Sequence, residues 1–125
     1  MNICSFKILF LYSQYCEKSI NMKIAIPASE QHIDSPVDER FGRCPFFCFY
    51  DTLNKQILFT ENDLRYGSGG IGPQVSEFLA NSNINKVIAM EIGPKTKDVL
   101  NKMKIEIQLI NNIQSIREII EKFTI

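Results

Sequence analysis

The chain has no tryptophan, a single histidine, four cysteines and no net charge over its 125 residues. Each shortage removes a class of protein. With 14 basic and 14 acidic residues, no global field draws the chain to nucleic acid or to an anionic membrane. Four cysteines are too few for a disulfide scaffold at this length. A closed zinc site needs four ligands, and His32 is the only imidazole on offer. The thiols are therefore expected to stay reduced, in the cytoplasm.

Long apolar runs are missing too. Ile8-Leu9-Phe10-Leu11-Tyr12 falls far short of the ~20 residues a membrane span requires. Residues 1–21 lack a strongly basic leader and a small-residue cleavage site, which argues against a secretory signal. They read as an over-extended start, with Met22 the native one, or as a disordered extra arm. One domain over 22–125 would then open on Met22-Lys23-Ile24-Ala25-Ile26-Pro27.

What is present suits one core. An apolar fraction of 45% and a charged fraction of 22% are ordinary for a globular domain. Residues 23–27 read as a buried strand ended by Pro27, followed by a loop through Asp38. The aromatic run 46–50 and the segment 56–60 flank turn residues 51–55, which predicts a hairpin. Pro73 suits the first turn of a helix, and Val75, Phe78 and Leu79 share one face. Residues 86–90 form a compact strand, and Gly93-Pro94 opens a second helix with Val99, Leu100 and Met103 inward. Residues 105–110 alternate as a half-buried strand. Asn112 is the expected cap of a last helix striped by Ile113, Ile116, Ile120 and Phe123. The order β, β-hairpin, α, β, α, β, α predicts an α/β fold on a mixed sheet of about five strands, parallel in its second half.

Two segments carry the chemistry. Residues 35–45 concentrate Arg40, Arg43, Asp38, Glu39 and Cys44 between Pro36 and Pro45. Residues 67–74 place Gly67, Gly69, Gly70 and Gly72 just ahead of a helix. Helices beginning at Gly72-Pro73 and Gly93-Pro94 would offer unpaired N–H groups and the positive ends of their dipoles. If both open on one sheet edge, they form an anion cradle that Arg40 and Arg43 could close. Cys44 adds a soft donor, and a thiol beside two arginines is expected to have a lowered pKa. One cysteine cannot hold a metal ion alone, but it can orient a preformed anionic metal–sulfur cluster.

Duller readings stand beside these. The glycines lack the Lys-Ser/Thr ending of a P-loop and do not match the dinucleotide fingerprint, so they could be a flexible loop with a helix cap. Arg40 and Arg43 could simply pair with Asp38 and Glu39. Cys48 reads as a small core residue and His32 as an exposed loop residue. Asp34, Asp38 and Glu39 have no base or nucleophile beside them, so no catalytic set is assigned and the domain reads as non-enzymatic.

Residues 22–27, Ser35-Pro36-Val37, Arg40-Phe41-Gly42-Arg43-Cys44-Pro45, Gly69-Gly70-Ile71-Gly72-Pro73-Gln74 and residues 87–94 together resemble the dinitrogenase iron–molybdenum cofactor biosynthesis family. The resemblance runs in one register from Met22 to about Ile120. It implies a ribonuclease-H-like three-layer fold with helices on both faces. It also implies carriage of an iron–sulfur or molybdenum-containing cluster, delivered to cofactor-assembly or acceptor proteins. On that reading Arg40, Arg43, Gly69, Gly70, Gly72 and Gly93 hold the cluster and Cys44 ligates it. Nitrogenase-linked members commonly have His where this chain has Arg40, so the resemblance favours the small stand-alone members. The alternative from the residues alone is a regulatory or interaction module that binds a phosphorylated metabolite in the same cradle.

Overall fold

The structure is a computed structural model and describes residues 22–123. The reading of residues 1–21 as a spurious start or an arm lies outside the described residues. Five strands and three helices follow one another. They are β1 (Lys23–Ala28), β2 (Phe46–Asp51), β3 (Ile57–Glu61), α1 (Ile71–Asn81), β4 (Lys86–Ala89), α2 (Pro94–Lys102), β5 (Glu106–Leu109) and α3 (Ile116–Glu121). A short 3₁₀ turn, Asp63–Tyr66, joins β3 to α1. The strands form one sheet in the order β3-β2-β1-β4-β5. β1–β2 and β2–β3 are antiparallel, whereas β1–β4 and β4–β5 are parallel.

The sequence explains this arrangement. The β2–β3 turn is built from its own polar groups: the carboxylate of Asp51 accepts from Leu53 N–H at 2.9 Å and the Asn54 carbonyl from Gln56 N–H at 3.0 Å. Lys55 takes the left-handed conformation the turn requires, at φ 60°. β1 is central and buried from Ile24 to Ala28. Its alternation divides the apolar core, because successive side chains leave opposite faces of a strand. Ala25, Phe47, Val87 and Ala89 pack with Val75 and Leu79 of α1 and Leu100 of α2. Ile24, Ile26, Cys48, Tyr50 and Ile88 pack with Ile116, Ile119 and Ile120 of α3. Cys48 is therefore a core residue, wholly buried, with its thiol pushed up to about 12 by that burial.

The last helix corrects one expectation. Asn112 does not cap it, and Ile113 is 67% exposed instead of joining the stripe. Ser115 is the cap: its hydroxyl accepts from Glu118 N–H at 3.1 Å, and the Glu118 carboxylate accepts from Ser115 N–H at 3.0 Å. This capping box satisfies two orphan donors at once. It also fixes the entry of the chain, since Ile116 N–H donates to Ser35 O and Val37 N–H to Gln114 O.

With six residues, α3 has little helix beyond its first turn, so its cap bears heavily on it. Ser115→Ala is expected to cost about 1 kcal/mol. Thermal denaturation should register a fall of about 4–8 °C. An unchanged melting temperature would show that packing of Ile116, Ile119 and Ile120 alone holds the helix.

Candidate functional site

The connection from β1 to β2 is organised by two buried polar side chains, Ser35 and Asp38. The Ser35 hydroxyl accepts from Ser29 N–H at 3.1 Å and Glu30 N–H at 2.9 Å, and donates to Pro36 O at 2.9 Å. Asp38 is 5% exposed. Its carboxylate accepts from the Ser29 hydroxyl at 2.9 Å and from Arg40 three times, through the backbone N–H at 2.8 Å, Nε at 3.0 Å and Nη2 at 2.9 Å. Burial by itself would raise the Asp38 carboxyl; the donors from Arg40 and Ser29 outweigh it and hold the group below the ordinary carboxylate range. The two-pronged pair fixes the Arg40 guanidinium in place while leaving its other N–H groups facing solvent.

The chain then turns through residues 41–44. Phe41 sets its ring edge-on against Phe47, with centroids 5.7 Å apart. Cys44 is fully buried and donates to Phe41 O at 3.3 Å. Its thiol is pushed up to about 12, first by burial and then by the Asp38 charge. The expected lowering by the arginines is thus reversed: Arg40 contributes only weakly, and Arg43 faces elsewhere. Arg43 donates from Nη1 to Arg65 O at 2.9 Å and Gly67 O at 3.1 Å, clipping the glycine-rich loop to the turn.

Beneath the turn lies Asn62, 1% exposed, whose Nδ2 donates to Gly42 O and to Cys44 O, each at 2.9 Å. Its backbone N–H donates to Pro45 O at 2.9 Å. A single carboxamide thus satisfies two carbonyls of the turn.

The starts of α1 and α2 meet at this turn. Neither has a side-chain cap: Gly70 precedes α1 at φ 62° and Gly93 precedes α2. A Cβ placed on Gly72 would overlap the Thr96 hydroxyl, so only glycine allows the two first turns to approach this closely. A Cβ on Gly42 would lie 3.3 Å from Ile71 Cγ2, packing the turn onto the same junction. Arg40, Phe41, Gly42, Gly93, Pro94 and Thr96 line an open cleft of about 590 Å³. A Cβ on Gly93 would meet no atom within 4 Å, so its small size serves nothing in the protein's own packing.

Of the residues singled out from sequence, Arg40 and Gly93 line this cleft together. Gly72 lies behind it against Thr96, and Cys44 is turned into the core under it. Arg43 faces away, and Gly69 and Gly70 are not among the lining residues. Sequence reasoning missed Thr96, Glu91 and Asn62. Thr96 could have been found as the third residue of a helix opened by Gly93-Pro94. Asn62 stands between Glu61 and Asp63 and looks like an ordinary surface turn residue. Glu39 and Glu91 also line the cleft, so side-chain charge alone does not favour an anion there. The favourable part comes from the uncapped start of α2 and the free N–H groups of Arg40. Among the described residues no group of three or more His, Cys, Asp or Glu could hold a bare metal ion.

Residues 22–124 match the dinitrogenase iron-molybdenum cofactor family. The chain is 34% identical over 105 residues to the uncharacterized protein MJ0580 of Methanocaldococcus jannaschii, covering 82% of this chain and 85% of that one. Among solved structures it is similar to the apo form of the orange protein from Desulfovibrio gigas. The TM-score is 0.77 at 25% identity, over 84% of this chain and 88% of that one. A NifB-like protein from Thermotoga, of the DUF35 family, gives a TM-score of 0.71 at 25% identity over 82% and 87% of the two chains.

Two measurements test the geometry. Gly72→Ala should destabilise by about 1–3 kcal/mol through overpacking, and adding Thr96→Ala should recover part of the loss in denaturant titrations. Full recovery is not expected, since Thr96 Cβ would still lie 3.2 Å away. Because the folded pKa of Asp38 is depressed, its contribution is complete above the ordinary carboxylate value of 3.8 and fades as pH falls through the lowered one. Asp38→Asn should flatten that acid limb of the stability profile; an unchanged limb would mean other carboxylates set it.

Proposed function

Since the chain belongs to the dinitrogenase iron-molybdenum cofactor family, we propose that it binds and carries a preformed anionic metal–sulfur cluster in the Arg40 cleft, without turning it over. The observation that carries this reading is the uncapped start of α2 on a cleft beside Arg40, where Gly93 keeps an open space its own packing does not need. Glycine there lets a bulky ligand approach the backbone N–H groups at the start of α2. In this reading the fold is the ribonuclease-H-like three-layer kind, with α1 and α2 on one face and α3 on the other. Acceptor or assembly proteins would take the cluster from this exposed edge.

The donor set fits outer contacts to an anion rather than a metal coordination sphere. Arg40 supplies oriented N–H groups, held by Asp38. Sulfide and oxide ligands of a cluster accept such hydrogen bonds. The cluster supplies its own metal–sulfur bonds, and the protein shields it and neutralises part of its charge. Cys44 as placed is a protonated thiol in the core, and ligation by it requires the Phe41–Cys44 turn to open. The proposal stands without that step.

Reconstitution of the purified protein with iron and sulfide, or with thiomolybdate and copper, should yield visible absorption and stoichiometric metal and sulfide. Gly93→Val should fill the cleft and abolish uptake, and Arg40→Ala should weaken it by about tenfold or more, the range of a lost charged hydrogen bond. Glu91→Gln should strengthen it by removing a like charge. Retained uptake in both Gly93→Val and Arg40→Ala would overturn the assignment of the cleft. In Cys44→Ser, loss of uptake with the fold intact would show that the turn opens and the thiol ligates.

A further inference from the structure

β3 forms one edge of the sheet, and on it Ile57 and Leu58 are 39% and 61% exposed. Two hydrogen bonds set the phase of its ladder with β2. Asp51 N–H donates to Gln56 O at 3.0 Å, and Asn62 N–H donates to Pro45 O at 2.9 Å. In the register between them, Leu58 and Thr60 bond to β2, while Ile57, Phe59 and Glu61 turn their N–H and C=O groups away from the sheet. Among the described residues these outward groups have no hydrogen-bond partner. Natural edge strands are usually blunted by a proline, a bulge or a charge at the centre, and β3 has none of these. The opposite edge differs: β5 has four residues, and its Glu106 pairs with Lys86 of β4 at 3.6 Å.

We propose that β3 pairs with β3 of a second copy of this chain, antiparallel about a twofold axis at Leu58, joining two five-stranded sheets into one. The segment is complementary to itself read backwards, as an isologous interface requires. Leu58 meets Leu58, Ile57 meets Phe59, Gln56 meets Thr60 and Lys55 meets Glu61. In this register the outward-facing Ile57 and Phe59 exchange both of their hydrogen bonds across the axis, once on each side of it. Leu58 falls at a non-hydrogen-bonded pair, where opposed side chains come closest, about 4.5–5.5 Å between Cβ atoms. It lies beside Phe49, whose ring packs on Phe78 at 6.2 Å, so the apolar stripe of that face continues into the second copy. Lys55 and Glu61 are exposed and form no ion pair among the described residues; the pairing supplies each with a partner. Moving the axis to Ile57 sets Lys55 against Phe59, and moving it to Phe59 sets Glu61 against Ile57. Charge complementarity therefore selects both the occupant and the register. A strand of five residues supports a reversible dimer rather than an obligate one. None of these residues lines the Arg40 cleft, so the inference is independent of cluster binding.

Sedimentation equilibrium of the full chain over a range of concentrations should show a reversible monomer–dimer equilibrium. Leu58→Lys should shift it to monomer, while Ile113→Lys, at an exposed apolar position outside β3, should leave it unchanged. Glu61→Lys should raise the dissociation constant by about tenfold, because two symmetric ion pairs become repulsive. Adding Lys55→Glu to that variant reverses both charges and should restore association, a rescue that loss of fold would not show. Positions 55, 58 and 61 are exposed, so the variants should keep their fold. Hydrogen exchange at the Ile57 and Phe59 amides should slow as concentration rises. A full chain that stays monomeric at every concentration would overturn the proposal, whether residues 1–21 or a different protein then take the edge. So would a dimer that survives Leu58→Lys, or one that the charge exchange fails to restore.

Discussion

One buried carboxamide ties together the edge of this protein where the Phe41–Cys44 turn meets the starts of α1 and α2. Asn62 donates to two carbonyls of the turn at residues 41–44 and anchors Pro45 through its backbone, so the turn has a single shape. That shape presses Gly42 onto the start of α1, whose Gly72 in turn meets Thr96 at the start of α2. Remove the carboxamide and the buried Cys44 carbonyl loses its donor, at about 1–3 kcal/mol for an unsatisfied buried group, while the part-buried Gly42 carbonyl loses less. Gly72 and Thr96 make the contact, and the tied turn packs against that junction through Gly42.

The Arg40 cleft departs from the simplest picture of an anion site. Its two acids outnumber its one arginine, and Asp38 already takes two of the guanidinium's N–H groups. Selectivity must then rest on direction rather than on charge. A pinned guanidinium and uncapped backbone N–H groups point one way, and a ligand able to accept several hydrogen bonds at once gains from all of them. A diffuse basic patch would attract many anions and orient none.

Cys44 shows why residue type and site role can separate. Its neighbours in sequence are basic, and neighbours in sequence suggest a reactive thiol. In space Arg43 reaches across to Gly67, Arg40 is spent on Asp38, and the sulfur is sealed beneath Phe41. Desolvation then dominates and the thiol stays protonated. Proximity along the chain carried no information about which atoms faced the same space.

Periodicity by itself determined the strands, the helices and the mixed sheet. The apolar runs at residues 23–27 and 46–50, the alternation over 105–110 and the i, i+3, i+4 face of Val75, Phe78 and Leu79 are local properties, and local sterics turn them into elements. The expected helix starts were legible to within two residues: α2 begins at Pro94 after Gly93, and α1 begins at Ile71 after Gly70, one residue ahead of Gly72-Pro73. The last helix was expected to be capped by Asn112; its cap is Ser115, and Ile113 lies in solvent. Tertiary structure alone decided which side chains share a cavity. Arg43 and Cys44 left the site, Thr96 and Glu91 entered it, and Asn62 became its support. Those outcomes depend on contacts between segments far apart in the chain, where burial and hydrogen-bond satisfaction set the orientation of each polar group.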